Sequence, residues 1–233
     1  MASPFTPRTL AFLRALKRNN DREWFREHKA AYERDVRGPM LEVLDRLAGD
    51  FGRFAPELVS EPRVSLYRIY RDTRFSADKS PLKTHAAAHF PSRALPKGRS
   101  AGLYFHLSPT EVWIGGGLYM PSAADLRLIR EHIAAHHGRL RRAVTSTPVV
   151  EAVGTLDGEQ LTRVPRGYPR DHKAADYLRF KQFLAGREYP AAFATSPRFY
   201  PELLRVYRAI LPMVRFLNEA LAPVAAAPPQ RVF

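Results

Sequence analysis

The chain has 233 residues, of which 45% are hydrophobic, and its 37 Lys and Arg against 23 Asp and Glu give a formal net charge of +14. This length suits one large domain or two small ones, and the hydrophobic content is sufficient for a core. The chain has no cysteine, which excludes disulfides, thiolate catalysis and thiolate metal sites. No stretch approaches the roughly 18 uninterrupted apolar residues of a membrane span, and the N-terminus lacks the pattern of a secretory signal. We therefore expect a cytoplasmic protein that does not enter a membrane.

The positive charge has two explanations. It is typical of proteins that bind nucleic acid or an anionic surface. However, the basic residues are 30 Arg and only 7 Lys in a chain rich in Ala and Pro, a bias that a GC-rich coding sequence also produces. The net charge alone therefore does not identify a partner.

The first fifty residues predict three helices. Thr6 is a candidate N-cap with Pro7 in the first turn, and this helix should end at 19–20, Asn-Asn. Asp21 is the expected cap of the second helix, which Gly38-Pro39 should break. The third helix is predicted from the apolar stripe that begins at Met40.

The next part of the chain predicts strands. Residues 64–70, VSLYRIY, alternate and are rich in β-branched and aromatic side chains. Residues 83–90 fit either a strand or a helix. The stretches GLYFHLS and EVWIGGG flank Pro109-Thr110, which predicts a β-hairpin.

The second half of the chain predicts mainly helices. One should begin after Ser122, which forms a capping box with Asp125. Short helices and strands, including EQLTRV and KQFLAGREY, are expected from about 139 to 190. The last helix should run from about residue 200 to 220, with a kink or the start of a new turn at Pro212. The fold predicted is α+β: a mostly antiparallel sheet, with N-terminal helices and a long C-terminal helix packed on it. We expect a single domain over residues 1–222 and a Pro/Ala-rich tail over 223–233.

The stretch RIYRDTRFSADKSPLKTH, residues 68–85, has the highest local density of fixed charge. Alternation along the predicted strand would place Arg68 beside the apolar Leu66, where an unpaired guanidinium is costly. A turn near Asp72 would bring the charges together. Arginine forks, ammonium groups, hydroxyls and loop amides are the groups that usually hold phosphate oxygens. The stretch therefore predicts a site for an anion, in particular a phosphate-bearing small molecule.

The candidate ligand-binding residues follow from this stretch and from two features downstream. Three glycines near the end of a strand allow a bulge or a close approach of a ligand or another strand, and their amides would attract an anion. Arg130, on the helix after them, is a possible clamp on the lid side. The candidates are Arg68, Arg71, Asp72, Arg74, Ser76, Asp78, Lys79, Ser80, Lys83, Gly115, Gly116, Gly117 and Arg130.

Two alternatives remain for the same residues. In the first, the chain is a nucleic-acid-associated protein that contacts phosphates with its basic groups and stacks bases on Tyr67, Tyr70 or Phe75. In the second, Asp72 and Asp78 hold the arginines in a purely structural network without a ligand. Two acidic residues cannot neutralise five basic ones within this stretch, although carboxylates from elsewhere in the chain could do so.

No metal site, cofactor or catalytic residue is assigned from the sequence. His85 and His89 share one side of either a helix or a strand, but a third spaced ligand is missing. No GxSxG elbow is present, which excludes a serine hydrolase of that type. Asp72, Asp78 and His85 lie near the basic cluster, so proton transfer remains open.

Four stretches occur in a characteristic order: FLRALKRNNDREWFREHKAAYERDV, RIYRDTRFSADKSPLKTH, WIGGGLYMPSAADLRLIR and RGYPRDHKAADYLRFK. Together they resemble the uncharacterised bacterial and fungal family catalogued as domain of unknown function 2461, over most of the chain. The second stretch is the specific one, but Leu82 stands where the family commonly has an aromatic residue, which weakens a stacking role there. The resemblance implies a single cytoplasmic domain and no particular activity.

Overall fold

The computed structural model describes residues 2–74, 77–96 and 98–222. It confirms the predicted α+β fold, with a four-stranded antiparallel sheet, helices before it and a long helix after it. Among the described helices, none combines the length and apolar character that crossing a membrane requires. The predicted tail, residues 223–233, lies outside the described residues, so its boundary stays a prediction.

The first two helices begin where their capping residues predict. Helix α1 spans Pro7–Arg18, and the backbone N–H of Thr6 donates to Oγ1 of Thr9 at 3.1 Å. Helix α2 spans Arg22–Glu27, and the Asp21 carboxylate accepts the N–H groups of Glu23 and Trp24. These side chains satisfy backbone donors that the first turn of a helix leaves without partners.

The predicted break at Gly38-Pro39 is wrong. The chain continues through α3, Lys29–Tyr32, and a π-helical turn, Glu33–Arg37, into α4, Gly38–Phe54. Proline normally breaks a helix because it lacks an N–H group and its ring meets the carbonyl of the preceding turn. Here the wider π turn lies directly before Pro39, with the N–H of Gly38 bonded to the Glu33 carbonyl, so the helix accommodates the proline.

The strand predicted over residues 64–70 is also wrong. Helix α5, Pro62–Ser65, includes its first two residues. The remainder is extended but pairs only through isolated bridges from Leu66 to Ala88 and from Tyr70 to Leu82. Arg68 is therefore exposed instead of facing an apolar layer. Its neighbours Tyr67 and Tyr70 are exposed by 46% and 47% of their surface.

The sheet comprises β1, Ala86–Pro91, β2, Gly102–Leu107, β3, Glu111–Leu118, and β4, Phe183–Pro190. Neighbouring strands pair in chain order and all pairs are antiparallel. The predicted hairpin is confirmed as β2 and β3, and the ambiguous stretch after Lys83 forms β1.

The two faces of the sheet have different environments. Helix α9, Phe199–Leu221, packs on β2 and β3, where Phe105 contacts Phe199 at 6.0 Å between ring centroids. Because side chains alternate along a strand, the residues on either side of Phe105, Tyr104 and His106, point away from α9. We call the side that they occupy the outer face.

Helix α6, Ala123–Thr145, begins after Ser122 as predicted and extends into the region from about 139, where separate short elements were expected, with non-helical backbone angles at His136. Helices α7, Thr147–Val153, and α8, Ala175–Leu178, follow. The stretch EQLTRV, expected to form a short helix or strand, makes only one bridge, between Gln160 and Phe180. Helix α9 continues through Pro212.

Candidate functional site

A cavity of about 540 Å³ lies on the outer face of the sheet, and its surface is mostly apolar. Strands β1, β2 and β3 supply its floor, and the segment before β1 supplies a wall. It is lined by Tyr67, Lys83, His85, His89, Gly98, Ser100, Gly102, Tyr104, His106, Trp113, Gly116, Gly117, Leu118, Tyr119 and Leu184.

Glycines let the indole of Trp113 lie flat against the backbone of the sheet. A Cβ atom at Gly186 would lie 2.2 Å from Cζ2 of Trp113, and one at Gly115 would lie 2.6 Å from its Cη2. Neither position could carry a side chain without moving the ring. The close approach that the glycine run predicts is made, at Gly115, by the backbone of β4 as well as by the indole, since a Cβ atom there would lie 2.3 Å from the carbonyl oxygen of Ala185.

The same glycines do not form the predicted anion-attracting surface of free amides. Residues 115–117 pair with β2 on one side and with β4 on the other. Their N–H groups therefore face neighbouring strands. Gly116 and Gly117 contribute bare backbone to the cavity lining.

Lys83 is the lysine of the predicted cluster that reaches this cavity. Its Nζ lies 4.7 Å from the centroid of the Tyr67 ring. Its half-buried ammonium forms no hydrogen bond or ion pair with residues 2–74, 77–96 or 98–222. Burial lowers the pKa of Lys83, and the positive charges of Arg68 and Arg71 act in the same direction.

Three imidazoles line the cavity with Lys83. Burial lowers the pKa of His85 to about 4, with the neighbouring His106 acting in the same direction. The ring of His106 lies 5.6 Å from that of His85, and its Nε2 lies 3.2 Å from a carboxylate oxygen of Glu111. Within the described part of the chain, no three His, Asp or Glu side chains are grouped as a metal ion would require.

Two arginines of the predicted cluster are held by the acids of the same loop. Arg71 donates to the Asp78 carboxylate and, at 3.1 Å, to the Ser80 hydroxyl. Arg74 donates to both carboxylate oxygens of Asp72, at 3.0 and 2.8 Å. Hydrogen bonds from Ser80, followed by that from Arg71, lower the pKa of Asp78 to about 2. The alternative of a structural network without a ligand therefore fits these two arginines and their two acids.

The remaining bases of the loop lack a carboxylate partner among the described residues. Lys79 donates to the carbonyl of Thr73 at 3.0 Å. Arg68 makes neither a hydrogen bond nor an ion pair with the part of the chain that the structure describes. Only Lys83 of these three lines the cavity.

The base of the loop is fixed by backbone pairing and by Asn20. The N–H of Arg71 donates to the Pro81 carbonyl at 2.9 Å, and the N–H of Lys83 donates to the Ile69 carbonyl at 2.8 Å. The Asn20 amide bonds both backbone groups of Leu82, at 2.9 and 3.0 Å. Leu82 itself is fully buried, so it has no stacking role. These contacts position Lys83, the next residue.

Arg130 does not act as a clamp on this site. Its guanidinium donates to the carbonyls of Leu178 and Phe180, at 2.9 and 3.2 Å. It therefore connects α6 to the segment around α8. Ser76, another predicted site residue, lies outside the described residues.

The cavity has an aromatic and histidine lining, contributed by Tyr104, His106 and Trp113, that was not predicted from the sequence. The signal was present in the alternation of GLYFHLS, where Tyr104 and His106 interrupt Leu103, Phe105 and Leu107. That pattern places two polar aromatic side chains on the face opposite the core. It did not indicate that a charged loop would meet this face.

Comparison with protein families gives a match over residues 8–216, most of the chain, to a family described as conserved hypothetical protein (DUF2461). No curated protein matches the chain.

Proposed function

The chain belongs to this family, DUF2461, and we propose that it binds a small phosphate-bearing molecule in the cavity on the outer face of its sheet. The observation that carries the proposal is the position of Lys83. Its ammonium lines a mostly apolar cavity without a carboxylate partner among the described residues. A bound anion would supply that partner.

The charge of the site favours an anion over a cation. A half-buried ammonium loses hydration, and an oppositely charged ligand group compensates for this loss. Arg68 lies close enough to lower the pKa of Lys83 and is itself exposed. It therefore places a second positive charge near the wall that Lys83 forms.

The apolar part of the cavity favours a ligand with a flat ring. The rings of Tyr104 and Trp113 lie 5.8 Å apart between centroids, and those of Tyr67 and Tyr104 lie 6.4 Å apart. Aromatic surfaces of this kind bind planar groups in offset or edge-to-face arrangements. The volume of about 540 Å³ is within the usual range for small-molecule pockets.

The proposal uses fewer residues than the charge pattern suggests. Arg71 and Arg74 already hold carboxylates of their own loop, so we assign them to the structure of the loop. Lys83, with Arg68 nearby, is left to meet the anion. The aromatic and imidazole side chains of β2 and β3 meet the rest of the ligand.

A thermal-shift screen tests the proposal. It compares inorganic phosphate, pyrophosphate, sugar phosphates, nucleotides and short oligonucleotides on wild type, Lys83→Met and Lys181→Met. Lys181 is the matched control because its ammonium already pairs with Glu159 at 2.9 Å. For each variant, the shift in melting temperature is measured from the value of the same variant without ligand.

We expect ring-bearing phosphates to stabilise wild type more than inorganic phosphate does. Lys83→Met should weaken their binding by about tenfold or more, which corresponds to about 1.4 kcal/mol, and Lys181→Met should not. The proposal fails if no phosphate compound stabilises wild type selectively, or if Lys83→Met binds as tightly. Preferential, steeply salt-dependent binding of oligonucleotides would instead favour a nucleic-acid surface at Tyr67 and Tyr70.

A further inference from the structure

The same cavity places an amine where it can react with a ligand. We propose that Lys83 forms an imine with the carbonyl carbon of an aldehyde or ketone that also carries an acidic group. This inference rests on the proposed function, because Lys83 must first attract the acidic group as an ammonium and then lose a proton to attack the carbonyl. It adds a substrate class, carbonyl compounds, and a covalent step.

Three features of the surroundings of Lys83 increase the fraction of the neutral amine, which is the form that attacks a carbonyl. No carboxylate among the described residues holds its proton, and Arg68 and Arg71 contribute positive charge. Burial and these charges lower the pKa of Lys83. Desolvation in an apolar pocket and neighbouring cations are the two usual ways in which a lysine becomes nucleophilic.

The imidazoles of the cavity can move the protons that imine formation requires. His85 is close enough to Lys83 for the ammonium charge to affect its pKa. The ring of His106 lies beside His85, with Glu111 bonded to its Nε2. A carboxylate in this position fixes the tautomer of a histidine and leaves the other ring nitrogen for proton transfer.

The step balances without a further reactant. The nitrogen of Lys83 attacks the carbonyl carbon and forms a C–N bond, which gives a carbinolamine. The carbonyl oxygen then leaves as water with the two hydrogens of the amine, and a C=N bond remains. Nothing is oxidised or reduced, and protonation of the imine returns a positive charge to the cavity beside the acidic group.

Two other lysines in the described part of the chain lack this environment. The ammonium of Lys181 pairs with Glu159 at 2.9 Å, and that of Lys79 donates to the Thr73 carbonyl at 3.0 Å. Neither lines the cavity. The chain has only seven lysines, so a covalent adduct can be assigned to one residue by peptide mapping.

The experiment uses pyridoxal phosphate as the probe, because it combines an aldehyde, a planar ring and a phosphate. The full chain is incubated with the probe, reduced with borohydride to trap any imine, digested and mapped by mass spectrometry. Lys83→Arg and Lys181→Arg are treated in the same way. Pyridoxine phosphate, which has an alcohol in place of the aldehyde, serves as a competitor that cannot form an imine.

We expect the adduct on Lys83 at about tenfold or more the level on Lys181, its loss in Lys83→Arg, and its retention in Lys181→Arg. Pyridoxine phosphate should suppress it. Equal labelling of all lysines overturns the inference, and this result needs only wild type, so it does not depend on the folding of a variant. If pyridoxine phosphate binds but no adduct forms on Lys83, the imine is refuted and the proposed function stands. If neither compound binds, both are refuted for this ligand class.

Discussion

At the scale of single residues, Gly186 and Gly115 shape the cavity by lacking side chains. Trp113 occupies the space that a Cβ atom at Gly186 would need, and Trp113 together with the backbone of β4 occupies that space at Gly115. The ring therefore lies against the sheet as part of the cavity floor. The glycine run in β3 could be recognised from the sequence as a place of close approach. The sequence could not show which atoms approach, because Gly186 belongs to β4, a strand far along the chain.

Replacing Gly186 by Ala should displace the indole of Trp113. The new methyl group would meet the ring at 2.2 Å, which forces the flexible side chain to move. In a Trp24→Phe background, where Trp113 is the remaining tryptophan, the emission maximum should shift. The affinity for ring-bearing phosphates, measured by titration, should fall.

Gly49→Ala is the matched control, because its Cβ atom would meet nothing within 4 Å and it lies in the exposed part of α4. It should raise the free energy of unfolding by about 0.5–1 kcal/mol without changing the emission of Trp113. An unchanged emission maximum in Gly186→Ala would show that the glycine does not position the ring.

At the scale of elements, the charged loop between Ile69 and Lys83 depends on the helices that precede it. Its base is closed by two backbone hydrogen bonds and by the Asn20 amide, which bonds Leu82 in the manner of a neighbouring strand. Phe25 in α2 contacts Tyr70 at 5.8 Å between ring centroids. Asn20 was predicted only as part of a helix end, since its contact with residue 82 is not visible in the sequence.

Asn20→Ala should destabilise the protein and loosen Lys83. The variant leaves both backbone groups of the buried Leu82 without partners, which costs about 2 kcal/mol. Urea unfolding measures this loss, and hydrogen exchange at the Lys83 amide should accelerate. Asn19→Ala, which removes only an exposed bond to the Ala15 carbonyl, should cost clearly less. Equal effects of the two variants would contradict the role given to Asn20.

Local signals predicted the elements whose causes are local. The caps at Asp21 and Ser122 and the hairpin at Pro109 are examples. Prediction failed where the residue types do not show the backbone geometry or the strand pairing. Gly38-Pro39 stays helical because a π turn precedes it, and residues 64–70 lack a continuous partner strand.

At the scale of the whole molecule, the sheet separates a core from a site. Helix α9 covers one face, and the cavity lies on the other. The alternation of apolar and polar side chains predicts two such faces. It cannot predict that the charged loop lies beside the outer face, because that arrangement depends on α5, β1 and the N-terminal helices together.

The global stability should depend on pH through His85. Its pKa is about 4 in the folded chain, against an ordinary value of 6.5. Between these values the unfolded chain binds a proton that the folded chain does not, so the free energy of unfolding should decrease as pH falls from 6.5 towards 4. Chemical unfolding at several pH values measures this slope.

His85→Gln should reduce that slope without abolishing it, because burial also lowers the pKa of His132. A variant with the full wild-type slope would show that His85 does not titrate as its position in the cavity implies.

A crystal structure with the tightest-binding phosphate compound tests the central claim most directly. We predict that a phosphate oxygen lies about 3 Å from Nζ of Lys83, with the rest of the ligand against Tyr104 and Trp113. A phosphate bound instead to Arg71 and Arg74, with the cavity containing only solvent, would contradict the account.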